Sequence, residues 1–564
     1  MKISGAAAMV EALEREKVEV MFGIPGGATI PFFDELIKRK TIRNILVRHE
    51  QCAAHMADGY ARVSGRVGVA TATSGPGATN LVTGIAAAYM DSTPLVAITG
   101  QVPRNMIGRD AFQEADITGI VTPITKYTFL VMSASQIPSV IRTAFMLAST
   151  NRPGPVLVDI PRDVQLETTE VTFPDQVKLK GYTIRSGDPH PYQVKKAIGA
   201  LINAERPIIL AGGGVIMSGA TNELIELAEL LQAPIVTSLM GKGSVPETHP
   251  LCLGIVGMHG KAEANIALEE ADVVLAVGTR ISDRTVMRLD KFGENAKIIH
   301  IDIDPAEIGK NVRADIPIVA DAKKALKAIK EGLVKMGFKR DPDTPWLKRI
   351  KELRDQFASE YEELLRGSLR PPKLMKILRQ ILPPDAIVTT GVGQNQMWSA
   401  LYFEALQPRT FITSGGLGAM GFGFPAALGA KVAKPDKPVV DIDGDGSFLM
   451  TEQELATSIC ENIPIVVMIM DNRSLGMVRQ WQSMMYEGRL SYVDLGRVPD
   501  FVKLAEAYGA EGVKVESYEE FESCMKRALR SEVTVVIDIP VPPDEKVFPM
   551  VLPGRRLKEV ICRG

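Results

Sequence analysis

Cysteine is scarce in this chain and badly spaced for structural work. Five residues, Cys52, Cys252, Cys460, Cys524 and Cys562, are scattered over 564 positions with no CxxC pair. That suggests neither a disulfide framework nor a zinc site. The six histidines (His49, His55, His190, His249, His259 and His300) form no metal-spaced pair on a helix face and no Ser-His-Asp order. Excess charge of either sign is also missing. The 65 Lys and Arg nearly balance 67 Asp and Glu, for a formal net charge of −2. There is no basic footprint for nucleic acid or an anionic membrane. No apolar run reaches the roughly 18 residues that a membrane span needs. Lys2-Ile3-Ser4 leads into an amphipathic helix pattern rather than a secretory signal. The expectation is a soluble, cytoplasmic protein without nucleic-acid or membrane partners.

What is present is an α/β composition, 46% hydrophobic with 49 glycines, on a length that predicts three or four domains. Residues 1–166 alternate apolar strand runs (Val18–Phe22, Ile45–Val47, Val67–Thr71, Leu95–Thr99, Val156–Ile160) with helical stretches. The pattern predicts a parallel sheet wrapped by helices. A polar linker with several prolines, 167–191, leads to residues 192–337. That second block has strands expected at Pro207–Ala211, Ile235–Thr237, Val273–Val277 and Ile298–Ile303. A charged helical connection, read as a solvated face, precedes a third block at 371–540. Residues 541–564 read as a flexible tail. The fold class is α/β, with three doubly wound parallel sheets.

The densest chemistry lies in Val439–Asn472. An apolar run, Val439–Ile442, ends in Gly444-Asp445-Gly446, and a second, Ile465–Met470, ends in Asp471-Asn472. Thr451 and Glu454 have capping-box spacing for the helix between them. In a βαβ unit both runs are parallel and their carboxyl ends share one sheet edge. Asp445 and the Asn472 amide oxygen then lie side by side and suit Mg2+, which takes one or two protein oxygens and fills its shell with phosphate and water. Gly444 and Gly446 let backbone amides approach that phosphate, with a helix N-terminus behind them. GDG alone is equally an ordinary turn after a strand. Glu50 is similarly two-sided. It follows Ile45–Val47 and opens a helix, where a carboxylate commonly stabilises the dipole, yet a buried carboxyl group there could also act on a ligand.

GDG, roughly 25 residues and then an Asn-containing pair resembles the thiamine diphosphate (ThDP) motif, with Asp471-Asn472 where that family usually has Asn-Asn. The stretches VRHEQCAAHMADGYAR (Val47–Arg62), TSGPGATN (Thr73–Asn80) and GQVPRNMIGRDAFQEAD (Gly100–Asp116) widen the likeness. NRPGPVLVDIPRDV (Asn151–Val164) and GGLGAMGFGFPAALGA (Gly415–Ala430) complete it. Together they resemble the catalytic large subunits of the acetohydroxyacid (acetolactate) synthases, in family order over nearly the whole chain. The resemblance implies a pyrimidine-binding domain at 1–166, a central Rossmann-like FAD domain at 192–337 and a diphosphate domain at 371–540.

For the catalytic residues, the resemblance implies that Glu50 activates the cofactor and that Gly27 lies beside the reacting group. Phe112 and Gln113 would line the substrate site, with simple core packing as the other reading of Phe112. Arg162 stands where the family usually has Lys. Asp445, Asn472 and the carbonyl of Ser474 would hold Mg2+. Around ThDP the resemblance puts Pro25, Gly26 and Asn80 on one side, and Gly444, Gly446 and Ser447 on the diphosphate. Val392, Gly393, Gln394 and Asn395 would form a further loop, with Asn395 at a position often held by His. Gly418 would also border ThDP, Met420 would bend it, and Met477 and Trp481 would stand at the channel mouth.

The implied flavin contacts begin with Arg152 and Gly212, Gly213 and Gly214. Met258 and His259 form a second group, and Gly278, Arg280 and Asp283 a third, in RISDR where the family has an RFDDR-like stretch. Asp302, Asp321 and Ala322 close the set, while Arg284 would guard the second substrate's entrance. The flavin takes no redox part. The implied reaction joins two 2-ketoacids: pyruvate loses CO2, and its two-carbon remainder is passed to pyruvate or 2-ketobutyrate. The product is 2-acetolactate or 2-aceto-2-hydroxybutyrate, at the first common step of branched-chain amino acid biosynthesis. A homodimer or homotetramer with sites between subunits and a small regulatory subunit are also implied. A flavin-dependent pyruvate oxidase, a flavin-free catabolic acetolactate synthase and a non-catalytic paralogue remain as alternatives.

Overall fold

Three stretches of alternating strand and helix build three six-stranded parallel sheets in a computed structural model that describes residues 2–563. Central strands such as Leu95–Gln101 and Val273–Val277 are buried throughout. Helices cover both faces of such sheets, so these strands read as continuous apolar runs rather than alternating ones. The first sheet runs Arg43–Leu46, Val20–Gly23, Gly68–Ala72, Leu95–Gln101, Pro155–Pro161, Tyr127–Leu130. The second runs Cys252–Ile255, Ile235–Thr237, Pro207–Ala211, Val273–Val277, Lys297–Asp302, Ile316–Val319. The third runs Phe411–Ile412, Ile387–Thr390, Val439–Gly444, Val466–Asp471, Val535–Pro540, Glu511–Lys514. Strands missed in the sequence of the first two domains are Tyr127–Leu130, Cys252–Ile255 and Ile316–Val319. All three lie at sheet edges, where a short run carries little periodicity.

Each sheet reverses its strand order beside its first strand, and the first and third reverse again near the far edge, where Pro155–Pro161 and Val535–Pro540 lie inside Tyr127–Leu130 and Glu511–Lys514. The crevice at a reversal is where open α/β sheets bind ligands, and the glycine-rich turns fall at the three reversals beside the first strands. Gly26-Gly27 and Gly75–Gly77 follow Val20–Gly23 and Gly68–Ala72. Gly212–Gly214 and Gly278 follow Pro207–Ala211 and Val273–Val277. Gly391–Gly393 and Gly444–Gly446 follow Ile387–Thr390 and Val439–Gly444.

The first and third domains meet through helix Glu50–Ser64 lying on helix Gly423–Ala433. A Cβ on Gly59 would stand 2.2 Å from the Ala426 carbonyl oxygen, and one on Gly429 would stand 1.9 Å from that of Met56. Only glycine admits backbones this close.

Three expectations need correction. Thr451 and Glu454 form no capping box: the segment breaks into two helices, Asp445–Phe448 and Glu454–Cys460, and the second has no side-chain cap. The Thr451 hydroxyl donates to the Gly421 carbonyl instead. The linker is partly structured, since Thr168–Glu170 pairs antiparallel with Lys2–Ser4. The tail is packed rather than free. Val547, Met550, Val551 and Leu557 are buried, Val551 donates to the Met258 carbonyl at 2.7 Å, and the Tyr402 hydroxyl bonds the Phe548 carbonyl.

Candidate active site

Strands Val439–Gly444 and Val466–Asp471 pair in parallel with Gly444 opposite Met470, so Asp445 and Asn472 leave the same edge on adjacent turns. Asp445 is buried; one carboxylate oxygen accepts from Gly446 N–H at 2.8 Å and the other, Oδ2, has no hydrogen-bond partner. Burial first, and the neighbouring Asp471 second, push its carboxyl up to about 7. A buried carboxylate oxygen with no donor is costly unless a cation meets it. The Asn472 side-chain oxygen accepts from Ser474 N–H at 3.0 Å, which leaves it a second lone pair. Its amide donates to Gln394 Oε1 at 3.0 Å. Among the described residues no cluster of three or more acidic, His or Cys side chains forms an all-protein metal cage. A Mg2+ that shares its shell with a diphosphate needs none.

The walls of this corner are built from short tethers. Ser447 Oγ accepts from Gly421 N–H at 3.0 Å and Val392 N–H at 3.4 Å. Gln394 is buried and spent within the chain, donating to Gln480 and to the Glu545 carbonyl of the tail. It therefore joins Asn472 to the tail and frames the corner. Asn395 donates to the Ile442 carbonyl at 2.9 Å, which engages one of its two amide protons. Gly393 and Gly418 have φ of +154° and +71°, and Met420 and Met477 are half-buried on the cavity wall.

The second site region surrounds Glu50, at the start of helix Glu50–Ser64. Glu50 is buried, and its Oε2 accepts from Asn80 Nδ2 at 2.9 Å; Asn80 is thus the carboxyl group's partner. Gly77 leaves room there, since a Cβ would lie 3.1 Å from Glu50 Oε1. A Cβ on Gly26 would strike Thr73, whereas one on Gly27 would meet nothing within 4 Å, so Gly27 borders open space beside exposed Pro25. Phe112 is 88% exposed, which excludes core packing. Gln113 has φ +60°, and its Cα lies 2.8 Å from where a Gly75 Cβ would be. Arg162 is exposed at the start of helix Arg162–Leu166.

A single cavity of about 890 Å³ connects the metal corner to the central domain. Gly213, Gly214, Met258, His259 and Gly278 line it, as do Arg152, Arg280, Asp302, Asp321 and Ala322. Burial lowers His259 to about 4 and raises Asp302 to about 6. Arg152 reaches Ser92 Oγ at 2.8 Å and Glu307 at 2.6 Å. Two expected members stand outside. A Cβ on Gly212 would sit 2.2 Å from the Gly278 carbonyl oxygen, so that glycine serves turn-on-turn packing. Asp283 points outward, 64% exposed, 3.5 Å from Arg284. At the mouth the Arg284 guanidinium lies 5.9 Å over the Trp481 ring, a cation held against an aromatic face. Pro25, Gly26, Gly27, Glu50, Asn80, Phe112, Gln113 and Arg162 are not on the wall of this cavity.

Family comparison accounts for all three domains. Residues 3–120, 194–329 and 391–539 match the models of the thiamine pyrophosphate enzymes' N-terminal TPP binding domain, central domain and C-terminal TPP binding domain. The chain is 51% identical to the probable acetolactate synthase large subunit of Methanocaldococcus jannaschii over 99% of this chain and 95% of that one. It is 48% identical to the acetolactate synthase large subunit IlvB1 of Mycobacterium tuberculosis over 99% and 91%. For the Haemophilus influenzae acetolactate synthase large subunit the figures are 45%, 99% and 98%. The chain belongs to the acetolactate synthase large subunits. As a thiamine pyrophosphate enzyme it carries both TPP binding domains, and Glu50 with Asn80 does not line the cavity into which Asp445 and Asn472 open.

The structure also brings forward Gln480 and Asp91, which the sequence reading passed over, and gives Glu454 a different part from the capping box expected of it. Glu454 is fully buried and accepts from the backbone amides of Arg48 and His49, at 2.9 and 3.0 Å. It thereby fixes the residues just ahead of Glu50 from another domain. Gln480 donates to the Val547 carbonyl and accepts from Val547 N–H, pinning the tail. Asp91 accepts from two amides of the Met420 loop. Each is a polar residue among other polar residues in the sequence, and only the fold supplies its partner.

Proposed function

We propose that this chain is the catalytic subunit of an acetolactate synthase that uses ThDP, Mg2+ and non-redox FAD. The observation that carries the reading is the Asp445–Asn472 corner opening into the cavity whose mouth holds Arg284 against Trp481. Asp445 Oδ2, Asn472 Oδ1 and the Ser474 carbonyl would hold Mg2+, whose charge would offset that of the diphosphate. Gly444, Gly446 and Ser447 would receive the phosphate oxygens, and Met420 would set the bend of the cofactor. When bound, ThDP supplies the electron sink for loss of CO2 from pyruvate and for transfer of the remaining two carbons.

The chain's own part is binding, orientation and exclusion of water. Glu50, oriented by Asn80, would hold a proton at the aminopyrimidine nitrogen. Arg284 offers a cation to the carboxylate of the acceptor ketoacid, pyruvate or 2-ketobutyrate. Trp481 bounds the acceptor's alkyl group, where a methylene decides a discrimination of roughly 1–3 kcal/mol. Arg152, Arg280, Asp302 and Asp321 surround a crevice of dinucleotide size that suits FAD.

Because Glu50 does not line the cavity that holds Asp445, we assign the complete site to a homodimer at least. Pro25, Gly26, Gly27, Phe112, Gln113 and Arg162 of one copy would face the metal corner of the other. A small regulatory subunit is assigned on the large-subunit type of the relatives, and a cytoplasmic setting on the biosynthetic reaction. Among the described residues no helix is long and apolar enough to cross a membrane.

The test is product identity from purified protein with pyruvate, ThDP, Mg2+ and FAD. Acetolactate, read as acetoin after acid treatment, without peroxide, is the expected result. Acetate with peroxide, or acetaldehyde, would replace the reading by an oxidase or a decarboxylase.

A further inference from the structure

Met90, Asp91 and Ser92, at the end of helix Val82–Asp91, are each bonded to a different part of the cavity wall. The Met90 carbonyl accepts from Arg280 Nη1 at 2.7 Å. Ser92 Oγ accepts from Arg152 Nε at 2.8 Å. Asp91 Oδ1 accepts from Gly416 N–H at 2.7 Å and Oδ2 from Gly415 N–H at 3.2 Å. Behind it, Arg62 on the helix that carries Glu50 bonds Asp91 at 2.9 Å and Asp58 at 2.6 Å. The same guanidinium donates to the Thr413 carbonyl at 2.7 Å. The side chains of Asp58 and Asp91 are fully buried and that of Arg62 is 10% exposed.

The geometry points to Asp91 as a positioning residue for the loop Gly415–Met420, an assignment that rests on reading this cavity as the ThDP site. A loop with glycines at 415, 416, 418 and 421 loses much conformational entropy when ordered, and charge-assisted bonds to two successive amides offset that loss. There is no slack in the contact: a Cβ on Gly416 would lie 2.7 Å from Asp91 Oδ1 and 2.9 Å from Met90 Cβ. Arg62 keeps Asp91 compensated and grips the residue two before the loop, so loop and carboxylate are held by one cation. Because Arg152 and Arg280 grip the flanking residues 92 and 90, the flavin-type wall and the Met420 loop share a single anchor.

Asp91→Asn keeps the shape but turns an N–H2 group toward a donor, whichever way the amide lies, so at least one tether to the loop is released. The first readout uses the full-length protein without cofactors: amide hydrogen exchange across residues 413–421. Exchange there should rise about tenfold or more above any rise in the rest of the chain, as expected of a locally released segment. In the loaded enzyme, deuterium exchange at the thiazolium C2 of ThDP should slow about tenfold while ThDP affinity shifts less than about threefold, the signature of lost orientation rather than lost binding. Gly416→Ala strikes the same contact from the loop side and should reproduce both effects.

Wild-type amide exchange and wild-type C2 exchange in either folded variant would overturn the assignment. So would loss of fold and of all cofactors together in both variants, because Asp91 would then be a general structural tie. A wild-type protein that releases the C2 proton yet forms no acetolactate removes the carboligase reading and leaves the role of Asp91 standing.

Discussion

Glu454 accepts from Arg48 and His49 N–H through one carboxylate oxygen and from the Thr457 hydroxyl, at 2.6 Å, through the other. Removing it leaves two part-buried amides without their acceptor, while the Thr457 hydroxyl keeps the Leu46 carbonyl at 3.3 Å. Glu454→Ala should therefore lower unfolding stability in denaturant by about 1–3 kcal/mol and slow Glu50-dependent proton release. Glu454→Gln, which keeps an oxygen for the amides, should do far less. Wild-type C2 proton exchange in the alanine variant would separate Glu454 from Glu50. In the sequence Glu454 was visible only as half of a capping box. A carboxylate's partner 405 positions away has no local signature.

Asp159 gives a prediction about pH. It is buried, accepts from Thr99 Oγ1 at 2.7 Å and Gln101 Nε2 at 2.9 Å, and burial pushes it up from 3.8 to about 7. The folded state thus binds this proton more tightly than the unfolded chain. Its stabilising contribution is complete below 3.8 and is lost as pH rises to about 7. Asp159→Asn removes the titration. The fall in melting temperature between pH 5 and pH 8 should shrink in that variant, and an unchanged slope would assign the dependence to other groups.

At the scale of elements, the crossing of helices Glu50–Ser64 and Gly423–Ala433 is set by Gly59 and Gly429. Gly429→Ala has to push the helices apart against the Met56 carbonyl. Overpacking of this kind costs about 1–3 kcal/mol, so thermal unfolding should come earlier. Glu50 rides on the displaced helix, so kcat should fall as well. Gly59→Ala and Gly429→Ala together should cost less than their sum, because the first already opens the crossing; full additivity in a double-mutant cycle would show two independent contacts. The sequence reading placed the first helix, opening at Glu50, but used Gly415–Ala430 only for its family likeness. It said nothing of their contact, because the small residues at a helix crossing look like any alanine- and glycine-rich stretch.

At the scale of the molecule, Glu50 lies off the cavity that holds Asp445 and Asn472, and the proposed site shared between subunits leads to a complementation experiment. Glu50→Gln and Asp445→Ala should each be inactive alone. Mixed and allowed to exchange subunits, they form heterodimers with one doubly damaged and one intact site, and activity should rise toward about a quarter of the wild-type value. No recovery after demonstrated subunit exchange would place both residues in a site within one chain. The packed tail belongs to this scale too. Its bonds to Gln394, Gln480 and Met258 close the cavity from residues that read as a loose end.

The sequence alone determined what is local or periodic. Buried parallel strands must be continuous apolar runs, and phosphate and metal turns must carry glycine beside an oxygen ligand. The three domains, Asp445 with Asn472, and the glycines at each sheet's reversal were therefore legible in order along the chain. The tertiary structure decided what depends on long-range geometry. It put Asn80 on Glu50, left Phe112 in solvent, turned Gly212 and Asp283 away from the cavity, and made Glu454 and Asp91 anchors between domains. A hydrogen bond needs its partner within about 3 Å whatever the separation in sequence, and only the folded chain fixes that distance.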